Sequence, residues 1–208
     1  HDNIESVFAL AKLQPDFSTY IPGVEFTCSE YSLNDISYPF SIHLLGYNFD
    51  YKNSNLLSAL EARGKRVENT YLKLLKEISF IIHDDILLTN IPISCGVVLQ
   101  LCDIQTYIEE HFPLYCKKVI PMIHNYASLL SQSNISIQEA ITLVHNAGGK
   151  AVWAHPFHIY SHFKKINITV SEIETILKEL ISLGIDGIEA NYSDFSLFQR
   201  NTLKILKI

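Results

Sequence analysis

Gly148-Gly149-Lys150-Ala151-Val152-Trp153-Ala154-His155-Pro156-Phe157 decides the reading of this 208-residue chain. The glycines stop a preceding helix, the apolar residues after them form a short strand, and His155 closes that strand just before a proline. A proline ring crowds the residue ahead of it out of helical geometry, so His155 is expected extended at a strand end. In α/β barrels the C-terminal strand ends are where catalytic groups and metal ligands gather. A lone histidine there is as readily a hydrogen-bonded core residue. The reading therefore turns on what converges with it.

The flanks of this stretch are regular. Ser136-Ile137-Gln138-Glu139 reads as a capping box that opens a helix carrying Ala140, Ile141, Leu143 and Val144. Ser171-Glu172-Ile173-Glu174 reads as a second box, opening a helix that ends at Gly184. A strand Gly187-Ile188-Glu189-Ala190-Asn191-Tyr192 and a last helix from about Phe195 follow, with Ser193 and Asp194 as its caps. Helices alternating with strands across short loops indicate a parallel sheet or barrel.

Earlier in the chain, Ile4, Val7, Phe8 and Ala11 recur at helical spacing, with Asp2 or Asn3 as cap and Pro15 as stop. Residues 19–28, with Glu25, and residues 40–47, with His43, read as two neighbouring strands. From Ser54, Leu60, Val67 and Leu74 recur seven apart, the stripe of a long amphipathic helix weakened at Gly64. Pro92, Pro113 and Pro121 break up a helical satellite. The resulting division is 1–58 and 134–208 for the main α/β domain, with 59–133 as an inserted, mostly helical subdomain.

Composition bounds the partners. Sixteen Lys and Arg against 22 Asp and Glu give a net charge of −6, with no basic run to track long duplex nucleic acid. No apolar stretch approaches the roughly 20 residues a bilayer requires. The four cysteines (Cys28, Cys95, Cys102, Cys116) form no CxxC pair, which fits reduced thiols in a cytoplasmic protein. The chain opens on histidine and closes on Leu206-Lys207-Ile208 in a helical pattern. It reads as a piece of a longer protein.

Glu25, His43 and His155 each interrupt an apolar strand, where a charge or imidazole is costly unless paired or metal-bound. Three such residues on three strands shift the balance toward a metal site. His1 is a fourth candidate. Imidazole plus carboxylate suits zinc, manganese or iron. Glu189, at the next strand end, faces either this site or a lysine partner.

Pro22-Gly23-Val24-Glu25, Ile42-His43-Leu44-Leu45-Gly46-Tyr47, Ala147-Gly148-Gly149 through Ala154-His155-Pro156, and Gly184-Ile185-Asp186-Gly187-Ile188-Glu189, with His1-Asp2-Asn3, resemble the PHP (polymerase and histidinol phosphatase) superfamily. The nearest branch is its stand-alone phosphoesterases, which act on nucleoside bisphosphates or short oligonucleotides. The resemblance implies a distorted (β/α)7 TIM-like barrel, incomplete here, and two or three divalent ions (Mn, Zn, Fe or Mg) at the strand ends. It implies His1, Glu25, His43 and His155 as metal ligands, with Glu25 bridging. Asp2 resembles a residue beside the ligands, and Arg63 and Arg66 resemble a phosphate-facing pair one helical turn apart; His158, which follows the His155 strand, is a candidate substrate contact from its position alone. Metal-activated water would then attack phosphorus. The family's His-x-His block would precede His1 and its Asp-x-His block would follow the last helix. Near Ile93 and Ser94, where related proteins carry arginine and histidine, this chain has Cys95, Gly96 and Val97. That departure leaves open a rival reading, a catalytically inactive PHP-like binding or scaffold module.

Overall fold

The computed structural model describes residues 2, 4–13, 21–93, 99–161 and 164–206. His1, Asn3, Thr19, Tyr20, Cys95, Gly96, Val97 and His162 lie outside them. The chain divides into two compact units, His1–Gly64 with Asn134–Ile208, and Lys65–Ser133.

The first unit is built on a four-stranded sheet. Strand β1 (Gly23–Thr27) pairs antiparallel with β2 (His43–Tyr47), and β2 pairs antiparallel with β3 (Lys150–Trp153). Between β3 and the last strand lies a hairpin, β4 (Ile159–Ser161) with β5 (Lys164–Ile166). The sheet closes with β6 (Gly187–Ile188), parallel to β3, so the order is β1-β2-β3-β6. Two features depart from expectation. The strand expected over residues 187–192 is only two residues long, and the hairpin has no counterpart in the sequence reading. No closed barrel is present among the described residues.

Alternation divides the sheet into two faces. Val24, Phe26, Leu44, Ala151 and Trp153 are buried. On this side an added Cβ at Gly46 would meet Val144 at 2.8 Å, so the helix after residue 136 packs directly on the strand. Glu25, Leu45, Val152 and Gly187 share the opposite face through the register Glu25↔Leu45, Leu45↔Val152 and Val152↔Gly187. Hydrophobic side chains fully withdrawn from water each contribute about 1.5–3 kcal/mol. The helix-covered face therefore carries most of the stability and leaves the other free for polar groups.

The helices follow from local chemistry. Helix α1 (Glu5–Leu13) buries Val7. Asp2 is not its cap; the carboxylate is committed to Thr27 N–H and Arg63 instead. Helix α2 (Ser54–Ile82) opens on Asn53, whose Oδ1 accepts Leu56 N–H, and runs unbroken through Gly64. In the second unit, α3 (Leu101–His111) and α4 (Cys116–Ser133) enclose Ile104, Ile108, Val119 and Ile123 with Leu74 and Ile78 of α2. Pro121 lies inside α4 rather than breaking it.

Helix α5 (Ile137–Asn146) is capped by Ser136, whose Oγ accepts Glu139 N–H. Helix α6 (Val170–Ser182) starts earlier than expected. Its cap is Thr169, with Glu172 as the reciprocal partner, because Thr169 already supplies the hydroxyl three residues ahead of a glutamate. Helix α7 (Leu197–Ile205) is capped by Ser196, not Ser193 or Asp194. Helices α5 and α6 both give way to left-handed glycines, Gly148 at φ +79° and Gly184 at φ +92°. There the amides of residues 148–149 and 184–185 turn back onto the last helical carbonyls. These caps deliver β3 and β6 side by side.

Candidate metal centre

Glu25 and His43 sit on the uncovered face of β1 and β2. Because Thr27, not Glu25, is directly opposite His43, the two meet on the diagonal. His43 Nδ1 lies 2.8 Å from Glu25 Oε1. Strict alternation would aim His155 the other way, with Ala151 and Trp153 against the helices. It does not follow that rule.

His155 adopts φ +31°. The expectation of an extended His155 ahead of Pro156 is thus corrected, and the reason is geometric: the left-handed turn takes the residue out of alternation. Its Nε2 arrives 3.2 Å from Glu25 Oε1 on the polar face. A non-glycine residue in such a conformation costs on the order of 1–3 kcal/mol and is found where surrounding contacts enforce it. Those contacts are present. His158 N–H donates to the His155 carbonyl at 2.7 Å, and His155 N–H donates to Glu189 Oε2 at 2.9 Å.

The ring of His155 is oriented as well. Its Nδ1 lies 3.2 Å from the His158 carbonyl, which can only accept, so Nδ1 carries a proton and Nε2 faces the carboxylate. His43 and His155 meet edge to face with ring centroids 4.9 Å apart, and Tyr160 stacks on His43 at 5.7 Å. Burial alone would raise the Glu25 carboxyl. Hydrogen bonds from His155 and His43, together with their charge, outweigh it and hold the group down at about 2. The His155 imidazole shows the converse: burial disfavours its charge, but Glu25 overrides this and raises it.

One ligand atom from each of Glu25, His43 and His155 lies within 4.8 Å of the other two. Donor atoms about 3 Å apart are what a single ion with bonds of about 2.1 Å requires, and two imidazoles with a carboxylate are a donor set for zinc, manganese or iron. The residues fit a divalent cation. They line a cleft of ≈ 260 Å³ with Leu45, Tyr47, Ala154, His158, Tyr160, Glu189 and Tyr192. This is close to the lower end of small-molecule sites, about 300–1,000 Å³. Its walls are mostly aromatic, and its charged side chains apart from histidine are carboxylates.

The remaining expected site residues are placed as follows. His158 lies in the cleft against Tyr192, and burial followed by the charges of Lys165 and His155 pushes its pKa down. Asp2 is buried, with its N–H on the Glu25 carbonyl and its carboxylate on Thr27 N–H. Arg63 is committed to Asp2 Oδ2 at 3.0 Å and to Asn134 Oδ1, and is not among the cleft residues. Arg66 belongs to the second unit, where Nε donates to the Ser133 carbonyl. His1 lies outside the described residues. Sequence reasoning missed Tyr47, Tyr160 and Tyr192 as cleft walls. Tyr160 rests on the unexpected hairpin, whose three-residue strands leave almost no periodic signal.

No family model matches the sequence, and no curated protein matches it. Among solved structures, the chain resembles a protein described as a metal-dependent phosphoesterase from Bifidobacterium adolescentis, with a TM-score of 0.60 and 18% identity over 99% of this chain and 69% of that one. It also resembles an amidohydrolase from Chromobacterium violaceum, solved with sulfate and no metal, with a TM-score of 0.50 and 18% identity over 89% of this chain and 62% of that one. The likeness is one of fold. It is a mixed α/β fold shared with these two proteins, and the Glu25–His43–His155 group occurs within it.

Proposed function

We propose that this protein is a metal-dependent phosphoesterase of the PHP superfamily, part of a longer parent in which further strands complete a seven-stranded barrel and further ligands complete the cluster. The carrying observation is the convergence of Glu25, His43 and His155 on one face of the sheet, bought with a left-handed turn at His155. The substrate is a nucleotide-type phosphoester, either a phosphorylated small molecule such as a nucleoside bisphosphate or a short oligonucleotide. Long duplex nucleic acid and membranes are not partners in this reading. The acidic balance supports the first exclusion. No described helix is long and apolar enough to cross a membrane.

Glu25 Oε1, His43 Nδ1 and His155 Nε2 would hold the ion, with His1 as a further ligand. When bound, a divalent cation supplies an acidified water and neutralises phosphate oxygens. The chain's own residues place it. In the absence of metal, Glu25 is kept ionised by the two imidazoles, which hold its carboxyl at about 2. His158, its pKa pushed down, stands at the cleft wall as a neutral hydrogen-bonding group for substrate. Tyr47, Tyr160 and Tyr192 offer apolar faces to the leaving group. The cleft lining has carboxylates but no lysine or arginine among the described residues, so a phosphate enters only against bound metal.

That lining also favours the second reading, a module that binds without catalysis. Phosphate release from nucleoside bisphosphates, or mononucleotide release from dinucleotides, with manganese added, separates the two in the intact parent. The phosphoesterase reading predicts activity that His155→Ala abolishes. Equal activity in both proteins would refute it.

A further inference from the structure

Strand β3 leaves the sheet at His155. Ala154 N–H makes the last bond to β2, on the His43 carbonyl, and Trp153 pairs with Ile188 of β6. The next amide, that of His155, has no strand left to bond and belongs to a buried residue only 7% exposed. A buried N–H without an acceptor is not tolerated. Glu189 supplies the acceptor, through a carboxylate oxygen at 2.9 Å.

Glu189 is itself fixed. Its own N–H donates to the Trp153 carbonyl at 2.9 Å, one rung beyond the end of the parallel ladder, and alternation from Gly187 puts its side chain on the cleft face. The residue thus grips β3 twice, by its backbone at Trp153 and by its side chain at His155. Between these grips the chain switches from extended to φ +31°, and the 155–158 turn that follows aims Nδ1 at the His158 carbonyl. The direction of Nε2 depends on that turn. An oxygen acceptor at this reach satisfies the buried amide and pins a backbone that would otherwise relax.

We propose that Glu189 is a positioning residue of the metal centre: its carboxylate clamps the left-handed His155 amide so that Nε2 meets Glu25 and His43. The inference rests on the metal reading above, and it gives Glu189 reach, not coordination, as its role. Groups that orient a ligand without touching the ion change metal affinity about 10–100-fold when removed.

Glu189→Gln keeps the reach and an acceptor oxygen while losing the charge; Glu189→Asp keeps the charge and shortens the reach by one methylene. Zinc affinity by equilibrium dialysis and amide hydrogen exchange at His155 are measured for both variants and the wild type. Glu189→Gln is expected to hold zinc within about threefold of wild type and to keep His155 protected. Glu189→Asp is expected to weaken zinc about tenfold or more and to lose protection at His155 alone. A Glu189→Gln loss equal to or greater than that of Glu189→Asp would overturn the proposal and make the carboxylate a ligand. Loss of protection along the whole β3–β6 pair would overturn it too, leaving Glu189 a residue of the fold. Should the wild type bind no zinc, the metal reading fails, and His155 exchange in the two variants still decides the clamp.

Discussion

Glu25 and His155 are 130 residues apart in sequence, yet His155 Nε2 lies 3.2 Å from Glu25 Oε1. Three local devices bring them together: the Gly148 helix stop, the antiparallel pairing of β3 with β2, and a left-handed backbone at His155. Only the last is costly.

Two glycines should respond oppositely to alanine. At Gly149 an added Cβ would stand 2.8 Å from the Tyr47 carbonyl and 2.8 Å from Phe49 Cβ. Gly149→Ala is expected to destabilise by about 1–3 kcal/mol. At Gly64, mid-helix, a Cβ meets nothing within 4 Å. Gly64→Ala is expected to stabilise by about 0.5–1 kcal/mol. Chemical denaturation of both variants checks the pair of signs.

The start of α6 distinguishes two serine- or threonine-led boxes. Thr169→Ala removes the hydroxyl that accepts Glu172 N–H and should cost about 1 kcal/mol. Ser171→Ala, one residue inside the helix, should be neutral in the same melting experiment.

Arg63 is held by Asp2 and Asn134. Arg63→Ala leaves the buried Asp2 carboxylate without its guanidinium, and a loss of about 3 kcal/mol is expected. Arg63→Lys should recover only part of it, since a lysine lacks the fork that reaches both partners. Thermal melting without substrate measures this directly.

Asp186 ties α5, β3 and β6 together through His145, Lys150 and the Ala151 amide. Burial would raise its carboxyl, but bonds from Lys150, Ala151 N–H and His145 hold it down at about 2, below its ordinary 3.8. The folded state therefore binds this proton less readily than the unfolded chain. The contribution is complete above pH 4 and is lost as pH falls through about 2. Asp186→Asn should flatten the acid limb of a stability–pH curve over that window.

Much of this arrangement was legible in residue order. Glycine stops after Asn146 and Leu183, the Ser136 cap and the seven-residue stripe of α2 announce themselves locally, because each depends on neighbours within a turn or two. Glu25, His43 and His155 stood out as polar breaks in apolar strands. The direction of the His155 side chain did not, since the proline rule predicts extended backbone, whereas the chain makes a 155–158 turn with the His155 amide on Glu189. Nor could spacing show that Arg63 faces Asp2. An arginine pair one turn apart looks the same whether it meets a phosphate or a buried carboxylate 61 residues earlier in the chain.

Zinc binding to the intact chain tests the central claim most directly. Equilibrium dialysis against Zn²⁺ at pH 7.5, a condition set at about one unit above the ordinary histidine range, should give at least one ion per wild-type chain. Glu25→Gln and His155→Ala should each reduce that occupancy sharply, with circular dichroism showing the fold intact. Unchanged zinc uptake in both variants, or none in the wild type, would contradict the account.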